Sequence, residues 1–187
     1  VIAVVGEGPQ FNFTPSNPWL AVGWREPGQI TLDAGEHLNK KNIHFVPRRI
    51  SKLNPEANTV ETENGDVHTY DYLLICTGPR LAFEEVPGSG PQGGFTQSIC
   101  TTPHAGEAWK NYQEFLKDPG PIVVGAVQGA SCFGPAYEFI MILDADLRKR
   151  KLRDKVPMTF VSSEPYVGHM GLGGVGDSKG LLESQFR

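Results

Sequence analysis

Short apolar runs alternate with amphipathic segments along the chain, and this alternation predicts an α/β fold. The runs VIAVV and PIVVG, at residues 1–5 and 121–125, are apolar and β-branched, which is typical of buried parallel strands. Residues 133–151 carry apolar positions at helical spacing and cations in the last turn, so they are predicted to form a helix. A second helix is predicted over TPHAGEAWKNYQEFLKD, with Thr102 as its N-cap and Pro103 at its first position.

The central part of the chain is predicted to form a β-meander. Residues 48–78 have strand-like composition, and the pair Asn64–Gly65 favours a hairpin. The last strand of the meander is expected to be YLLIC, which would place Cys76 in the core. Residues 9–27 are predicted to be an ordered loop and residues 80–100 a turn-rich linker, while AGEHLNKKN and IHFV predict a helix and a strand.

The turn between PIVVG and its helix resembles a nucleotide-binding turn with an incomplete glycine pattern. In the fingerprint G-x-G-x-x-G, the middle glycine lets the backbone approach a pyrophosphate. Here Gly125 and Gly129 flank Val127, whose β-branched side chain blocks that approach. We therefore predict a unit that keeps the nucleotide-binding fold and binds NAD(P)H poorly. Cys132 lies near the helix start, where the macrodipole stabilises a thiolate, so a redox role is favoured over that of a buried small hydrophobe.

Two acidic residues follow predicted strands, and this duplication indicates two dinucleotide-binding units. In a βαβ unit, the acid at the end of the second strand bonds the ribose hydroxyls. Glu7 follows VIAVV, and Glu164 follows the strand predicted at MTFVSSE. The order of strand, meander, YLLICTGP, linker and second βαβ unit is that of glutathione-reductase-like flavoproteins. We predict an FAD-binding segment over residues 1–119 and the first half of a degenerate second Rossmann-like domain over residues 120–187, with the fold incomplete at both ends.

Composition narrows the classes of function. The net charge of -4 and the absence of a basic stripe argue against a nucleic-acid-binding protein. No apolar run reaches the length of a transmembrane helix, which leaves peripheral membrane attachment open. Three cysteines do not form a disulfide framework, and the odd count points to free, buried or reactive thiols.

Five runs closely resemble the sulfide:quinone oxidoreductase family: FTPSNPWLAVGW, YDYLLICTGPRLAFEEVPG, QSICTTPHA, GPIVVGAVQGASCFGPAYEF and SEPYVGHMGLGGVGDSKG. They extend from Phe11 to Gly180 and so cover nearly the whole chain. The resemblance implies an FAD-dependent enzyme attached to one face of a membrane, expected to be the prokaryotic cytoplasmic membrane. Such an enzyme oxidises sulfide to sulfur or polysulfide and passes the electrons to a quinone such as ubiquinone. Assembly into a homo-oligomer stays open.

The resemblance also implies site residues at matching positions. Cys132 matches the thiol nearer the sulfur chemistry, and Cys100 matches a thiol beside the flavin that some members attach covalently. His104 and His169 match histidines linked to activity, and Glu138 matches a carboxylate of the active-site region. The implied FAD-binding residues are Gly6, Glu7, Pro15, Asn17, Thr77, Gly78, Pro79 and Cys100.

The catalytic prediction extends beyond this sequence. We expect Cys132 to bridge to a further cysteine in the family's C-terminal half, with Cys100 as a helper thiol. That half is not present in this sequence, so an isolated chain of this length is expected to be inactive.

Other functions remain open from sequence alone. A relative of flavocytochrome c sulfide dehydrogenase, an NADH:quinone oxidoreductase-like flavoprotein or a non-catalytic flavin module would share the same element order. A thiol hydrolase with Cys132 as nucleophile and His169 as base ranks lower, because GASCF lacks the G-x-[SC]-x-G spacing. The cysteines and histidines do not fall at the short spacings of a zinc module, so no metal is expected. GLGGVG at residues 171–176 fits G-x-G-x-x-G but lies too far from its strand to form the nucleotide turn.

Overall fold

The computed structural model describes residues 1–186, and their contacts divide the chain into two compact units. The first unit contains Val1–Phe13 and Gly28–Phe95, and the second contains Thr14–Pro27 and the chain from Thr96 onward. These contact-based units are not the same as the two predicted nucleotide-binding domains. The predicted boundary between those domains, after residue 119, stays a prediction.

Strands and helices are interspersed along the described residues. The strands are β1 (Ile2–Val5), β2 (Gln10–Asn12), β3 (Thr31–Asp33), β4 (Ile43–Val46), β5 (Ile50–Asn54), β6 (Thr59–Thr62), β7 (Val67–Thr69), β8 (Ile122–Ala126) and β9 (Met158–Ser162). The helices are α1 (Asn17–Ala21), α2 (Ala34–Asn39), α3 (Thr102–Phe115), α4 (Gly134–Lys149) and α5 (Ser178–Gln185).

In the first unit, β1 and β4 form a parallel pair, with Ile2 opposite Ile43. Strands β2 and β3 form an antiparallel pair. Helix α2 begins after Asp33, whose carboxylate accepts a hydrogen bond from the backbone N–H of Glu36 at 2.7 Å and so satisfies a free donor of the first turn. The predicted helix AGEHLNKKN and strand IHFV are therefore confirmed.

The predicted meander is a three-stranded antiparallel sheet in the order β5-β6-β7. Gly65 has φ +87°, the left-handed conformation that the hairpin between β6 and β7 requires and that glycine adopts without a steric cost. Val60 and Thr62 on the central strand are 5% and 1% exposed, so this strand has a buried side.

The prediction that YLLIC forms a buried strand is wrong for the described structure. These residues belong to no strand, and Tyr72, Leu74 and Ile75 are 95%, 86% and 63% exposed. Cys76 is exposed as well, which corrects its predicted place in the core. The physical reason is that a parallel strand needs a neighbour to pair its N–H and C=O groups, and no strand of residues 1–186 pairs with this segment.

In the second unit, β8 and β9 form a parallel pair, with Ile122 opposite Met158, and α4 packs against β8. Both strands and the helix were predicted from their apolar patterns, and they are confirmed. The inward side of α4 carries residues at helical spacing that belong to the main core. That core contains Val22, Tyr112, Ile142, Leu143, Leu147 and Val156.

Two local predictions need correction. The N-cap of α3 is Thr101, whose hydroxyl accepts from the backbone N–H of His104 at 3.2 Å. The hydroxyl of Thr102 instead donates to the side-chain oxygen of Asn17 at 3.2 Å. Residues 9–27 are not an irregular loop alone, because they contain β2 and α1; five residues are too few for α1 to show a helical period.

A buried carboxylate joins three segments of the second unit. Asp146 on α4 is 1% exposed. It accepts hydrogen bonds from the indole N–H of Trp24 at 2.8 Å, from the hydroxyl of Tyr112 at 2.9 Å and from the Nε of Arg150 at 2.5 Å. Burial raises the pKa of Tyr112, and the hydrogen bond to Asp146 raises that pKa further. This network fixes α4, whose N-terminus follows Cys132.

Candidate functional site

The turn from β8 to α4 presents Cys132 to solvent. Cys132 is exposed and lies two residues before the first residue of α4, as the sequence indicated. Val127 in the same turn is 52% exposed. Gly129 has φ +83°, a left-handed conformation that glycine adopts easily.

Gly125 has a structural role that the glycine fingerprint does not describe. A Cβ atom at Gly125 would lie 2.2 Å from the backbone oxygen of Val161 on the paired strand. Glycine is therefore required for β8 to approach β9. This requirement holds whether or not the turn binds a nucleotide.

A glycine-rich loop after β9 lies beside this turn. It carries His169, and its residue Gly171 packs on the ring of Phe133, since a Cβ there would meet that ring at 3.4 Å. The side chain of Met170 approaches Gly134, the first residue of α4. The structure therefore brings the loop of His169 next to the turn of Cys132, two segments that are about 37 residues apart in sequence.

Glu164 holds this loop in place. Its side chain is 1% exposed. Its carboxylate accepts from the hydroxyl of Tyr137 at 2.6 Å, from the hydroxyl of Ser162 at 3.2 Å and from the backbone N–H of Gly171 at 2.7 Å. Burial alone would raise the pKa of Glu164, but these hydrogen bonds outweigh it and hold the pKa below its usual range. The sequence placed Glu164 at a ribose-binding position, whereas in the structure its oxygens bind the protein's own groups.

His169 lies in the centre of the loop. Its backbone oxygen accepts from the N–H groups of Leu172 at 3.1 Å and Gly174 at 2.8 Å. Its ring stands edge-on to Tyr166, with ring centroids 5.2 Å apart. Its Nδ1 is buried and lies 3.5 Å from Oε1 of Glu164. Sequence analysis identified His169 but not the contact with Glu164, because that contact depends on the fold of a loop without periodicity.

Cys100 and His104 lie at the start of α3, and Asn17 is joined by a hydrogen bond to the same turn. Cys100 is exposed, and its backbone N–H donates to the hydroxyl of Ser98 at 3.2 Å. His104 lies in the first turn of α3, where its Nδ1 is buried. Asn17 is fully buried, and the hydrogen bond from Thr102 joins its segment to this helix.

Two further candidates of this unit are exposed. Pro15 lies in a short 3-10 turn before α1. Glu138 lies on α4 next to the buried Tyr137, so it faces outward while Tyr137 faces the contacts of Glu164.

The first unit has a cavity of about 380 Å³ at the end of β1. Glu7 lies on it and is exposed, and its carboxylate lies 3.6 Å from Nε of Arg49. The sequence identified Gly6 and Glu7, but it gave no signal for the other members of the lining. These include Phe11, Leu32, Asp33, His37, Leu38 and Phe45.

Thr77, Gly78 and Pro79 belong to the same unit and are exposed. Gly78 has φ +71°, a left-handed conformation that glycine adopts easily. They follow the extended segment that includes Cys76 and do not lie on the cavity at Glu7.

Residues 1–186 contain no group of three or more His, Cys, Asp or Glu side chains arranged to hold a metal ion. Within the same residues, no helix has both the length and the apolar character needed to cross a membrane. The three cysteines, Cys76, Cys100 and Cys132, form no disulfide with one another.

Solved structures of low sequence identity share the architecture of this chain. The chain is similar to NDH2 from Plasmodium falciparum in complex with NADH, with a TM-score of 0.62 and 16% identity over 84% of this chain and 36% of that one. It is similar to a ferredoxin reductase from Rhodopseudomonas palustris, with a TM-score of 0.60 and 17% identity over 98% of this chain and 41% of that one. These likenesses define the class of fold, an α/β Rossmann-like fold, as the sequence predicted.

Further similarities identify the family, although no protein-family model matches the sequence. The chain is 48% identical to the sulfide-quinone reductase of Aquifex aeolicus over 185 residues, which are 99% of this chain and 42% of the relative. The X-ray structure of that sulfide:quinone oxidoreductase matches with a TM-score of 0.89 over 99% of this chain and 42% of that one. The mitochondrial sulfide:quinone oxidoreductase of Dictyostelium discoideum is 30% identical over 66% of this chain and 28% of its own length. The chain belongs to the sulfide:quinone oxidoreductase family, and it spans 42% of the length of the Aquifex relative.

Proposed function

We propose that this chain is part of an FAD-dependent sulfide:quinone oxidoreductase, which oxidises sulfide to sulfur or polysulfide and passes the electrons to a quinone. The observation that carries the proposal is the exposed thiol of Cys132, in the turn where a dinucleotide-binding unit would hold a pyrophosphate and beside the loop of His169. The 48% identity to a sulfide-quinone reductase supports the same reaction.

Two features fit FAD. In the first unit, Glu7 follows a parallel strand and lies on a cavity of about 380 Å³, as expected for a carboxylate that binds ribose hydroxyls. In the second unit, the buried Nδ2 of Asn17 has no hydrogen-bond partner among the described residues, and a flavin oxygen would supply an acceptor. We assign Gly6, Pro15, Thr77, Gly78, Pro79 and Cys100 to the same cofactor by family resemblance. When bound, FAD supplies an acceptor for two electrons.

The chain's own thiol handles the sulfur. In the proposed reaction, HS⁻ attacks a disulfide that joins Cys132 to a second cysteine outside this chain. A new S–S bond forms, so Cys132 carries a persulfide, and the old S–S bond breaks with its electron pair on the leaving thiolate. Cys100 acts as a helper thiol at the flavin. His104 and His169 hold or move protons near these sulfur atoms, and Glu138 is assigned to the same active-site region by family resemblance.

We also propose attachment to a membrane surface, where a quinone is available, through residues outside this chain. The prokaryotic cytoplasmic membrane is the compartment that the family resemblance favours. A measurement of the enzyme's mass in detergent would show whether it forms a homo-oligomer.

Cys132→Ser tests the proposal in protein expressed from the native gene. The variant should bind flavin and lose sulfide-driven flavin reduction, because serine cannot hold sulfane sulfur. Cys76→Ser is the matched control, since Cys76 is also an exposed thiol and has no proposed role. Unchanged flavin reduction in Cys132→Ser, or equal losses in both variants, would contradict the assigned role of Cys132.

A further inference from the structure

Nδ1 of His169 faces a buried carboxylate. It lies 3.5 Å from Oε1 of Glu164, which is an ion-pair distance, and it forms no hydrogen bond with the described residues. The His169 side chain is 25% exposed while its Nδ1 is buried. The exposed part of the ring therefore lies on its other atoms, which include the edge that carries Nε2.

Hydrogen bonds from α4 and from the loop fix the carboxylate of Glu164 in position. The hydroxyl of Tyr137 on α4 donates to Oε2 at 2.6 Å, and the backbone N–H of Gly171 donates to Oε1 at 2.7 Å. The same hydroxyl of Tyr137 accepts from the backbone N–H of Gly168 at 3.0 Å. The contacts of Tyr137 and Gly171 thus hold the loop on both sides of His169 and keep Oε1 aimed at its ring.

We propose that Glu164 is a positioning residue that keeps the proton of neutral His169 on Nδ1 and so leaves Nε2 as the proton acceptor in the sulfide reaction. A carboxylate at Nδ1 favours the tautomer that can donate to it, as in metal-bound and hydrolytic histidines. This inference rests on the proposed function. It adds a role for a residue that sequence analysis assigned to ribose binding.

The proton transfer is balanced within the described groups. H₂S gives one proton to Nε2 of His169, which leaves HS⁻ as the nucleophile for the Cys132 disulfide and an imidazolium on the loop. The ionised carboxylate of Glu164 offsets that positive charge at 3.5 Å. The pKa of Glu164 lies below its usual range, which agrees with an ionised carboxylate near neutral pH.

The other titratable side chains with contacts in this region are two tyrosines and a lysine. Tyr166 meets the imidazole edge-on, and Tyr137 contacts Glu164 rather than His169. Lys179 from α5 lies over the ring of Tyr166 at 5.3 Å from its centroid. Glu164 is therefore the acidic group among these that directly faces the imidazole.

Ring ¹⁵N NMR of this 187-residue chain tests the proposal without sulfide or flavin. The chain has five histidines, and the His169→Gln variant assigns the signals of His169. In the signals of the neutral imidazole, the wild-type ring should be protonated mainly on Nδ1. A ring protonated mainly on Nε2 would overturn the proposal, and this measurement needs no substitution of Glu164.

Variants then separate charge from structure. In Glu164→Gln, the ratio of Nδ1–H to Nε2–H should fall about fivefold, because a neutral amide is a weaker acceptor than a carboxylate. Ser162→Ala removes a 3.2 Å hydrogen bond to the same carboxylate and keeps its charge, so the ratio should change less than about twofold. Equal changes in the two variants would mean that loop packing, and not the charge, sets the tautomer. Since no sulfide is used, the result stands whether or not the proposed reaction is upheld.

Discussion

The buried carboxylate of Asp146 is expected to contribute more to stability than any surface ion pair of the same helix. Asp146→Ala removes the acceptor of Trp24, Tyr112 and Arg150, which bind it at 2.8, 2.9 and 2.5 Å. Hydrogen bonds to charged groups contribute about 1.5–3 kcal/mol each but do not add fully. Removing one partner of a buried charged network costs about 3–5 kcal/mol, and we expect a loss in that range for the free energy of unfolding.

Asp144 provides the matched control two residues earlier on α4. It forms ion pairs with Arg148 and Arg153, and its side chain is 29% exposed. Pairs at such partly solvated positions contribute about 1 kcal/mol or less, so Asp144→Ala should cost far less than Asp146→Ala. Urea unfolding followed by circular dichroism measures both variants. A difference below about 1 kcal/mol between them would refute the argument that burial makes Asp146 essential.

Three further predictions concern the site. Gly125→Ala should sharply reduce the yield of soluble folded protein, because its Cβ would lie 2.2 Å from the Val161 oxygen. Gly120→Ala is the control and should keep the yield, because its Cβ would meet no atom within 4 Å. Equal yields of the two variants would contradict the packing role of Gly125. Glu164 has a pKa lowered from 4.5, so the stability that its ionised carboxylate gives the fold is present above about that pH and is lost as the pH falls. Urea unfolding at a series of pH values should therefore show less loss of stability in acid for Glu164→Gln than for wild type. Equal losses of stability in the two proteins would contradict this prediction. Tyr137→Phe should lower the free energy of unfolding by about 1–3 kcal/mol in the same urea assay. The substitution leaves Glu164 and the N–H of Gly168 without the hydroxyl that they share. An unchanged free energy of unfolding would show that water replaces this hydroxyl.

Helices and strands could be predicted where both their apolar pattern and the element they pack against lie within this chain. Helix α4 and strands β8 and β9 follow from apolar spacing alone, because each finds its packing partner among the described residues. The segment at Tyr72–Cys76 has an equally clear pattern but no pairing strand there, so its pattern did not determine its structure. An apolar run favours a buried strand, but the strand forms only if a neighbouring strand is present to pair with it.

The candidate site was predictable only in part for a related reason. Cys132 could be placed because a strand, a turn and a helix each leave a sequence signal. The contact of Glu164 with His169 could not be placed, because the loop that follows Glu164 takes left-handed conformations at several glycines and at Met170. Those conformations are set by tertiary contacts, including the hydrogen bond from Gly171, rather than by local preference.

The most direct test of the proposed function is an anaerobic visible absorption spectrum of the protein from its native source, recorded before and after sulfide is added. The account predicts oxidised-flavin bands that bleach with sulfide and return when a quinone is added. NADH should leave the bands unchanged, since Val127 stands at the pyrophosphate approach and Glu164 binds the protein's own groups. Bands that ignore sulfide and bleach with NADH would contradict the account and identify an NADH-linked flavoprotein instead.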